Sequence, residues 1–153
     1  MRIIAPDTDA LWTAYLSCRF NNLYKPFNLP ETCTTSELDS PRDRPGIHHR
    51  CALRDDGRVA AVGRLDIQPT HPQGPSAQVR YFAVDPDSRG TGIGAALLTH
   101  LEALAREAGI PRVWMEARVA ALNFYLRAGY QDYGEGPNKW GRIPHRLLQK
   151  SIL

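Results

Sequence analysis

Three glycines fall within five residues, at Gly90, Gly92 and Gly94, and what flanks them gives them a chemical use. Ahead of them runs Gln78-Val79-Arg80-Tyr81-Phe82-Ala83-Val84, rich in β-branched and aromatic residues, which predicts a strand. Asp85-Pro86-Asp87-Ser88 ends it. Behind the glycines, Ile93, Leu97, Leu101, Leu104 and Ala108 recur at spacings of four, four, three and four, which is one face of a helix. Gly109 and Pro111 stop that helix, and Glu102 and Arg106 are set four apart for an ion pair along it. Glycine lets a backbone turn sharply and come close to a ligand. The first turn of a helix presents amide N–H groups without carbonyl partners, at the positive end of its dipole. A strand, a glycine-rich turn and a helix start therefore make a site for an anion, most often a phosphate. A bare connection needs one glycine, not three.

The spacing narrows the ligand. A Walker loop needs a Lys after its last glycine, and none follows Gly94. A Rossmann loop needs Gly at the sixth place, where Ala95 stands after Gly90-Thr91-Gly92. Arg89-Gly90-Thr91-Gly92-Ile93-Gly94 instead fits Arg/Gln-x-x-Gly-x-Gly, with Ala83-Val84-Asp85-Pro86 before it. Some 30 residues on, Ala121-Leu122-Asn123-Phe124-Tyr125-Leu126-Arg127-Ala128-Gly129-Tyr130 fits Ala-x-Asn-Phe-Tyr-x-x-x-Gly-Phe/Tyr. The two motifs, in this order, resemble those of the GNAT acyltransferase superfamily, and the resemblance covers about residues 47 to 152.

That resemblance implies roles. Backbone N–H groups of Arg89, Gly90, Thr91, Gly92, Ile93, Gly94 and Ala95 would hold the pyrophosphate of acetyl-CoA. The backbone of Phe82, Ala83 and Val84 would pair with the pantetheine arm like an added strand, and one amide there would polarise the thioester carbonyl. Asn123 matches the residue that contacts the pantetheine arm or the adenosine side. Tyr125 stands where family members keep the acid that protonates the departing thiolate. A phenol of pKa ~10 can stabilise a thiolate of pKa ~8.5 by hydrogen bonding. Each residue also has a plain structural reading: sheet core for Phe82, Ala83 and Val84, aromatic packing for Tyr125, helix surface for Asn123.

The base is the open position. Some family members carry a Glu six residues before the position of Val84, where this chain has Gln78, whose amide cannot take a proton. Asp66, His48, His49 and His145 are the alternatives, and a water chain draining the proton is another. His71, in a proline-rich turn, and His100, flanking a helix's apolar face, are weaker choices. Arg64 and Arg80 on adjacent strands would favour an acidic acceptor if they faced it; an ion-pair network with Asp66, or solvated strand faces, is the plainer reading.

The elements that must position these groups follow from pattern. Residues 1–5 form a short strand, and Asp7 caps a helix running to about Tyr24. The polar stretch from Pro26 to Pro45 reads as loop, with a short helix near Ser36 to Leu38; in the family it walls the acceptor site. Ile47–Arg54 and Arg58–Ile67 make a hairpin about Asp55-Asp56-Gly57, and the strand at Gln78 completes a meander. Arg112–Glu116 is a strand parallel to it. A helix from Arg118 to Ala128, a strand from Tyr130, a Gly/Pro loop from Gly134 to Gly141 and a last strand from Pro144 to Ile152 finish the chain. The order is β-α-β3-α-β-α-β2, an α/β protein with a mixed, mostly antiparallel sheet and helices on both faces, as in the GNAT-like acyltransferase fold.

Composition bounds the rest. At 153 residues the chain, residues 1–153, is expected to be a single domain burying ~70% of its unfolded surface. No apolar run is long enough to span a membrane, and no signal-peptide core opens the chain. Cys18, Cys33 and Cys51 are odd in number, lack metal-ligand spacing and lie outside both motifs. A net charge of +3 suits a polyanionic cosubstrate and makes no case for nucleic acid. The reading is a cytoplasmic N-acyltransferase, monomer or homodimer, without a metal. It takes acetyl from acetyl-CoA directly to a small-molecule or peptide amine, with no cysteine nucleophile. Gln78 keeps a non-catalytic acyl-CoA-binding or regulatory protein as the alternative.

Overall fold

The structure is a computed structural model that describes residues 1–31, 42 and 44–153. Seven strands form one sheet in the order β1-β2-β3-β4-β5-β7-β6. They are β1 (Arg2–Ile4), β2 (Ile47–Leu53), β3 (Val59–Gln68), β4 (Ser76–Val84), β5 (Arg112–Arg118), β6 (Gln131–Lys139) and β7 (Ile143–Ser151). Among the described residues the α-helices are α1 (Asp9–Leu23), α2 (Ile93–Glu107) and α3 (Leu122–Arg127). The result is the mixed α/β, mostly antiparallel architecture read from sequence, and the short helix expected near Ser36 to Leu38 lies outside the described residues. The chain divides into two compact units: Met1–Leu65 with Tyr81–Leu101, and Asp66–Arg80 with Glu102–Leu153.

In the first unit β1 runs antiparallel to β2, with Arg2 opposite Leu53 and Ile4 opposite Cys51. The cap of α1 is Thr8, not Asp7: the Thr8 hydroxyl accepts from the Leu11 amide at 3.1 Å, while the Asp7 amide turns back to Ala5 O. Tyr15, Cys18, Leu53, Val59, Val62 and Ala83 form one core cluster. Ala52, Ala60 and Ala61 pack with Ile93 and Leu97 in a second, joined by Phe82 and Val84. The helical apolar face predicted around Ile93 and Leu97 is thus spent on small alanines. Gly63 belongs to the same packing: a Cβ there would lie 3.0 Å from Leu101 Cδ1 and 3.1 Å from Phe82 Cδ2.

In the second unit β4 and β5 are parallel, with Gln78 opposite Trp114. β7 runs antiparallel along the whole of β5, from Arg112↔Ser151 to Arg118↔His145. Three expectations are corrected here. The helix predicted from Arg118 starts only at Leu122, because the period-two alternation of β5 continues through Arg118 and a 3-10 turn covers Val119–Ala121. The loop predicted over Gly134 to Gly141 is mostly strand, since β6 runs to Lys139 as an edge strand whose two register shifts fall at Tyr133 and at Gly136–Pro137. Glu102 does not serve Arg106. It is buried, accepts from Tyr130 Oη at 2.7 Å and pairs with Lys150 Nζ at 3.1 Å, while Arg106 donates to Ile152 O.

Candidate active site

The glycine loop is built as an anion cradle. Gly90 and Gly92 have φ of 76° and 85°, in the left-handed region that side chains disfavour. A Cβ added at either would meet no atom within 4 Å, so open space lies on the side where a ligand would come. The first helical bond is Ala96 N–H to Gly92 O at 3.0 Å. The amides of Ile93, Gly94 and Ala95 precede it and have no carbonyl in the helix ladder. Arg89, Gly90, Thr91, Gly92 and Ala95 are exposed, while Ile93 and Gly94 are buried.

Side chains around the loop hold its shape. Arg89 Nε donates to Val84 O at 3.1 Å, the Asp85 amide to Ala60 O at 2.8 Å, and the Thr91 hydroxyl to Ser88 O. Asp87 receives Arg54 and Arg58. Asp85 takes Asn22 Nδ2 at 2.7 Å and the Cys18 thiol at 3.4 Å. Burial and the Asp85 carboxylate push that thiol well up, and burial lifts Cys51 to about 11, so neither is a thiolate near neutrality.

The strand leading into the loop holds a feature that sequence reading missed. Tyr81, in mid-strand, has φ of 52°, a conformation rare for an aromatic residue and worth about 1–3 kcal/mol of strain. Two guanidinium groups hold its ring: Arg19 Cζ lies 4.4 Å and Arg64 Cζ 5.5 Å from the centroid. Arg19 is fully buried and donates to Tyr15 Oη at 3.0 Å. Tyr15 Oη in turn contacts His49 Nδ1 at 2.9 Å and Gly63 O at 3.2 Å. His49 is therefore tied into a buried network, edge-on to Trp12 and Tyr15. No local pattern announces this cluster, because its members are 34 and 48 residues apart in sequence.

Phe82 and Val84 are half-buried and Ala83 is buried, so their side chains pack as sheet core. In the second unit Tyr125 is buried in the short helix α3, with Phe124 at 5.1 Å and Tyr130 at 6.1 Å between centroids. Burial raises its hydroxyl far above the usual phenol value, and the Arg118 charge pulls it part of the way back. It is therefore fully protonated at any working pH. Asn123 is exposed near the start of the same helix.

The half-buried face of the second unit's sheet is lined with polar groups. Gln68 Nε2 donates to Gln78 Oε1 at 2.9 Å and Trp114 Nε1 donates to Gln68 Oε1 at 2.8 Å. Gln78 thus sits in an amide chain, and His71 lies with its ring 5.4 Å from Trp114. Asp66 lies 3.7 Å from Arg80, the ion pair that sequence reading preferred. In the first unit, separately, His48 is half-buried on β2, and His100 receives Arg50 Nε at 3.3 Å. His145 is buried, and its Nδ1 bonds Ile143 O at 2.7 Å, which fixes the proton on Nδ1 and turns Nε2 into the basic nitrogen. Burial holds its pKa below the ordinary histidine value.

Comparison with known proteins finds N-acetyltransferases by sequence and by structure. An aminoalkylphosphonate N-acetyltransferase of Salmonella typhimurium is 34% identical over 131 residues, covering 82% of this chain and 80% of that enzyme. A glucosamine 6-phosphate N-acetyltransferase of Trypanosoma brucei brucei is 32% identical over 79 residues, covering 50% of this chain and 54% of that enzyme, so the match spans about half of its length. Among solved structures, an aminoglycoside 6'-N-acetyltransferase complexed with coenzyme A shares the fold at a TM-score of 0.79 and 17% identity, covering 100% of this chain and 98% of that one. Escherichia coli ElaA shares it at 0.76 and 18% identity, with 98% of each chain covered. The sequence profile of the acetyltransferase (GNAT) family matches residues 10–130, which take in both the glycine loop and the Asn123–Tyr125 segment. With the profile spanning most of its length, the chain belongs to the acetyltransferase (GNAT) family.

Proposed function

We propose that this chain transfers an acetyl group from acetyl-CoA directly to the amine of a small-molecule acceptor. The observation that carries the reading is the loop: two glycines at positive φ, with open space where side chains would be, ahead of the Ile93, Gly94 and Ala95 amides. Such a cradle fits a pyrophosphate. The relatives named above act, by their names, on an aminoalkylphosphonate and on glucosamine 6-phosphate, both small amines.

The chain's own residues then divide the work. The loop from Arg89 to Ala95 binds the pyrophosphate, the backbone of Phe82, Ala83 and Val84 orients the pantetheine arm, and Asn123 contacts that arm or the adenosine side. The amine nitrogen attacks the thioester carbonyl; as the C–N bond forms the C–S bond breaks, and Tyr125 Oη gives its proton to the departing sulfur. The nitrogen's own proton passes to His145 Nε2. Asp66 is engaged with Arg80 and His49 with Tyr15, which leaves His48 and His145; His145 is chosen because Ile143 O fixes its Nδ1 as the donor and leaves Nε2 as the basic atom.

Release of CoA thiol from acetyl-CoA, followed over a panel of small amines, tests the reading; no release with any amine, despite intact CoA binding, would overturn it. Two further results are expected. His145→Gln lowers kcat/KM about 10²-fold at neutral pH. In the wild type, activity falls on the acid side as His145 takes a proton, and because burial lowers its pKa the midpoint lies below 6.5. A midpoint above 6.5, or a limb unchanged in the variant, assigns the proton elsewhere. Gln78→Ala costs less than about tenfold in kcat, because an amide, held here by Gln68, cannot act as a general base at neutral pH; steady-state rates check it.

A further inference from the structure

β7 brings a lysine to an inward-facing position of the second unit. Alternate residues of a strand share a face. Lys150 stands opposite buried Val113 of β5 and two residues beyond buried Leu148. Its ammonium lies 3.2 Å and 3.1 Å from the two Glu102 oxygens and 2.9 Å from Ala128 O. Those three acceptors match the three donors of an ammonium. Glu102, whose side chain is 5% exposed against 25% for Lys150, also accepts from Tyr130 Oη at 2.7 Å. An ion pair this sealed gives little more stability than apolar residues of the same size, yet breaking it strands a buried charge. Its use lies in what it holds in place.

It holds the last turn of α3. That helix is six residues long, too short to persist by itself. Ala121, just ahead of it, has no side-chain oxygen to cap its first turn. The last turn is closed by the Ala128 amide to Phe124 O and Tyr125 O, the Gly129 amide to Leu126 O and the Tyr130 amide to Tyr125 O, at 3.0 to 3.2 Å. Lys150 binds the next carbonyl, Ala128 O, and sets a positive charge at the negative end of the helix. Its stem crosses Gly129, where a Cβ would come to 3.4 Å from Lys150 Cε. Tyr130, held by Glu102, stands edge-on to Tyr125 with centroids 6.1 Å apart. The ion pair thus reaches Tyr125 twice, through the backbone turn and through the Tyr130 ring.

We propose that Lys150 and Glu102 are positioning residues, a charged clamp that fixes the last turn of α3 and so aims the Tyr125 hydroxyl. The proposal rests on the reading of Tyr125 as the proton donor to sulfur. Neither Lys150 nor Glu102 exchanges a proton with substrate.

Two measurements on the full chain test it. With 2-aminoethylphosphonate as the amine probe, Lys150→Met is expected to lower kcat about 10- to 100-fold, the cost of a donor displaced by about an ångström, while the KM for acetyl-CoA stays within about twofold. In a Tyr125→Phe background the same substitution costs less than about threefold more, because the group it aims is gone. A purely structural role gives the same loss in both backgrounds, and that result overturns the proposal. Tyr130→Phe removes one hydroxyl and leaves the ion pair; it is expected to follow the same pattern at about 3- to 10-fold, and it carries the comparison if Lys150→Met does not fold. The second measurement needs no turnover. Hydrogen exchange at the Ala128, Gly129 and Tyr130 amides is expected to quicken about tenfold or more in Lys150→Met, or in Tyr130→Phe, while α1 keeps its rates. That result supports the clamp even where the amine is not acetylated or Tyr125→Phe keeps the wild-type kcat, outcomes that sink the transfer reading or the Tyr125 reading alone. Exchange unchanged at those amides, or quickened equally in α1, overturns the clamp and leaves acetyl transfer standing.

Discussion

Tyr125→Phe is expected to lower kcat by about 10²- to 10⁴-fold while the KM for acetyl-CoA barely moves. The substitution removes one oxygen and keeps the ring against Phe124 and Tyr130, so packing in α3 survives. What is lost is a hydrogen bond to sulfur that strengthens only as charge develops there. The buried hydroxyl, with its pKa raised, stays protonated across the neutral range and gives no alkaline limb of its own to the pH profile. Steady-state kinetics and a melting curve on the purified variant decide the point. A wild-type kcat in the variant would make Tyr125 a packing residue.

Gly92→Val is the second large effect: CoA binding falls below detection by calorimetry while the domain still melts cooperatively. At φ of 85° a β-branched side chain is strained, and the new atoms enter the space beside the Ile93–Ala95 amides. Since a Cβ there meets no protein atom within 4 Å, the loss of stability is limited to the backbone term of about 1–3 kcal/mol. Gly92→Ala, with less bulk, should bind CoA with intermediate affinity. Unchanged affinity in both variants would reduce the loop to a turn.

How much of this was visible in the residues alone differs from place to place. The strand at Gln78, the Gly90–Gly94 turn and the face carrying Ile93 and Leu97 are local patterns, and each emerged where local pattern put it. The start of α3 did not, because Arg118 to Ala121 is helix-compatible in composition and only pairing with β7 holds Arg118 in a strand. β6 was hidden for the converse reason: its glycines and proline argue for a loop until a partner strand and two register shifts accommodate them. The Tyr15–His49–Arg19 network depends on which elements become neighbours, and side-chain type says little about that. Gln78 was legible only as a departure from an acidic position, and its partners Gln68 and Trp114 come from strand register.

The edges of the sheet carry a consequence for how the chain behaves when crowded. An exposed strand edge is a template on which another chain can polymerise. One edge here is β1, only three residues long. The other is β6, kinked by two register shifts and interrupted by Pro137, which has no N–H to offer. Neither presents a straight row of donors and acceptors. Copies of this chain are therefore expected to resist fibre-like stacking through their sheets.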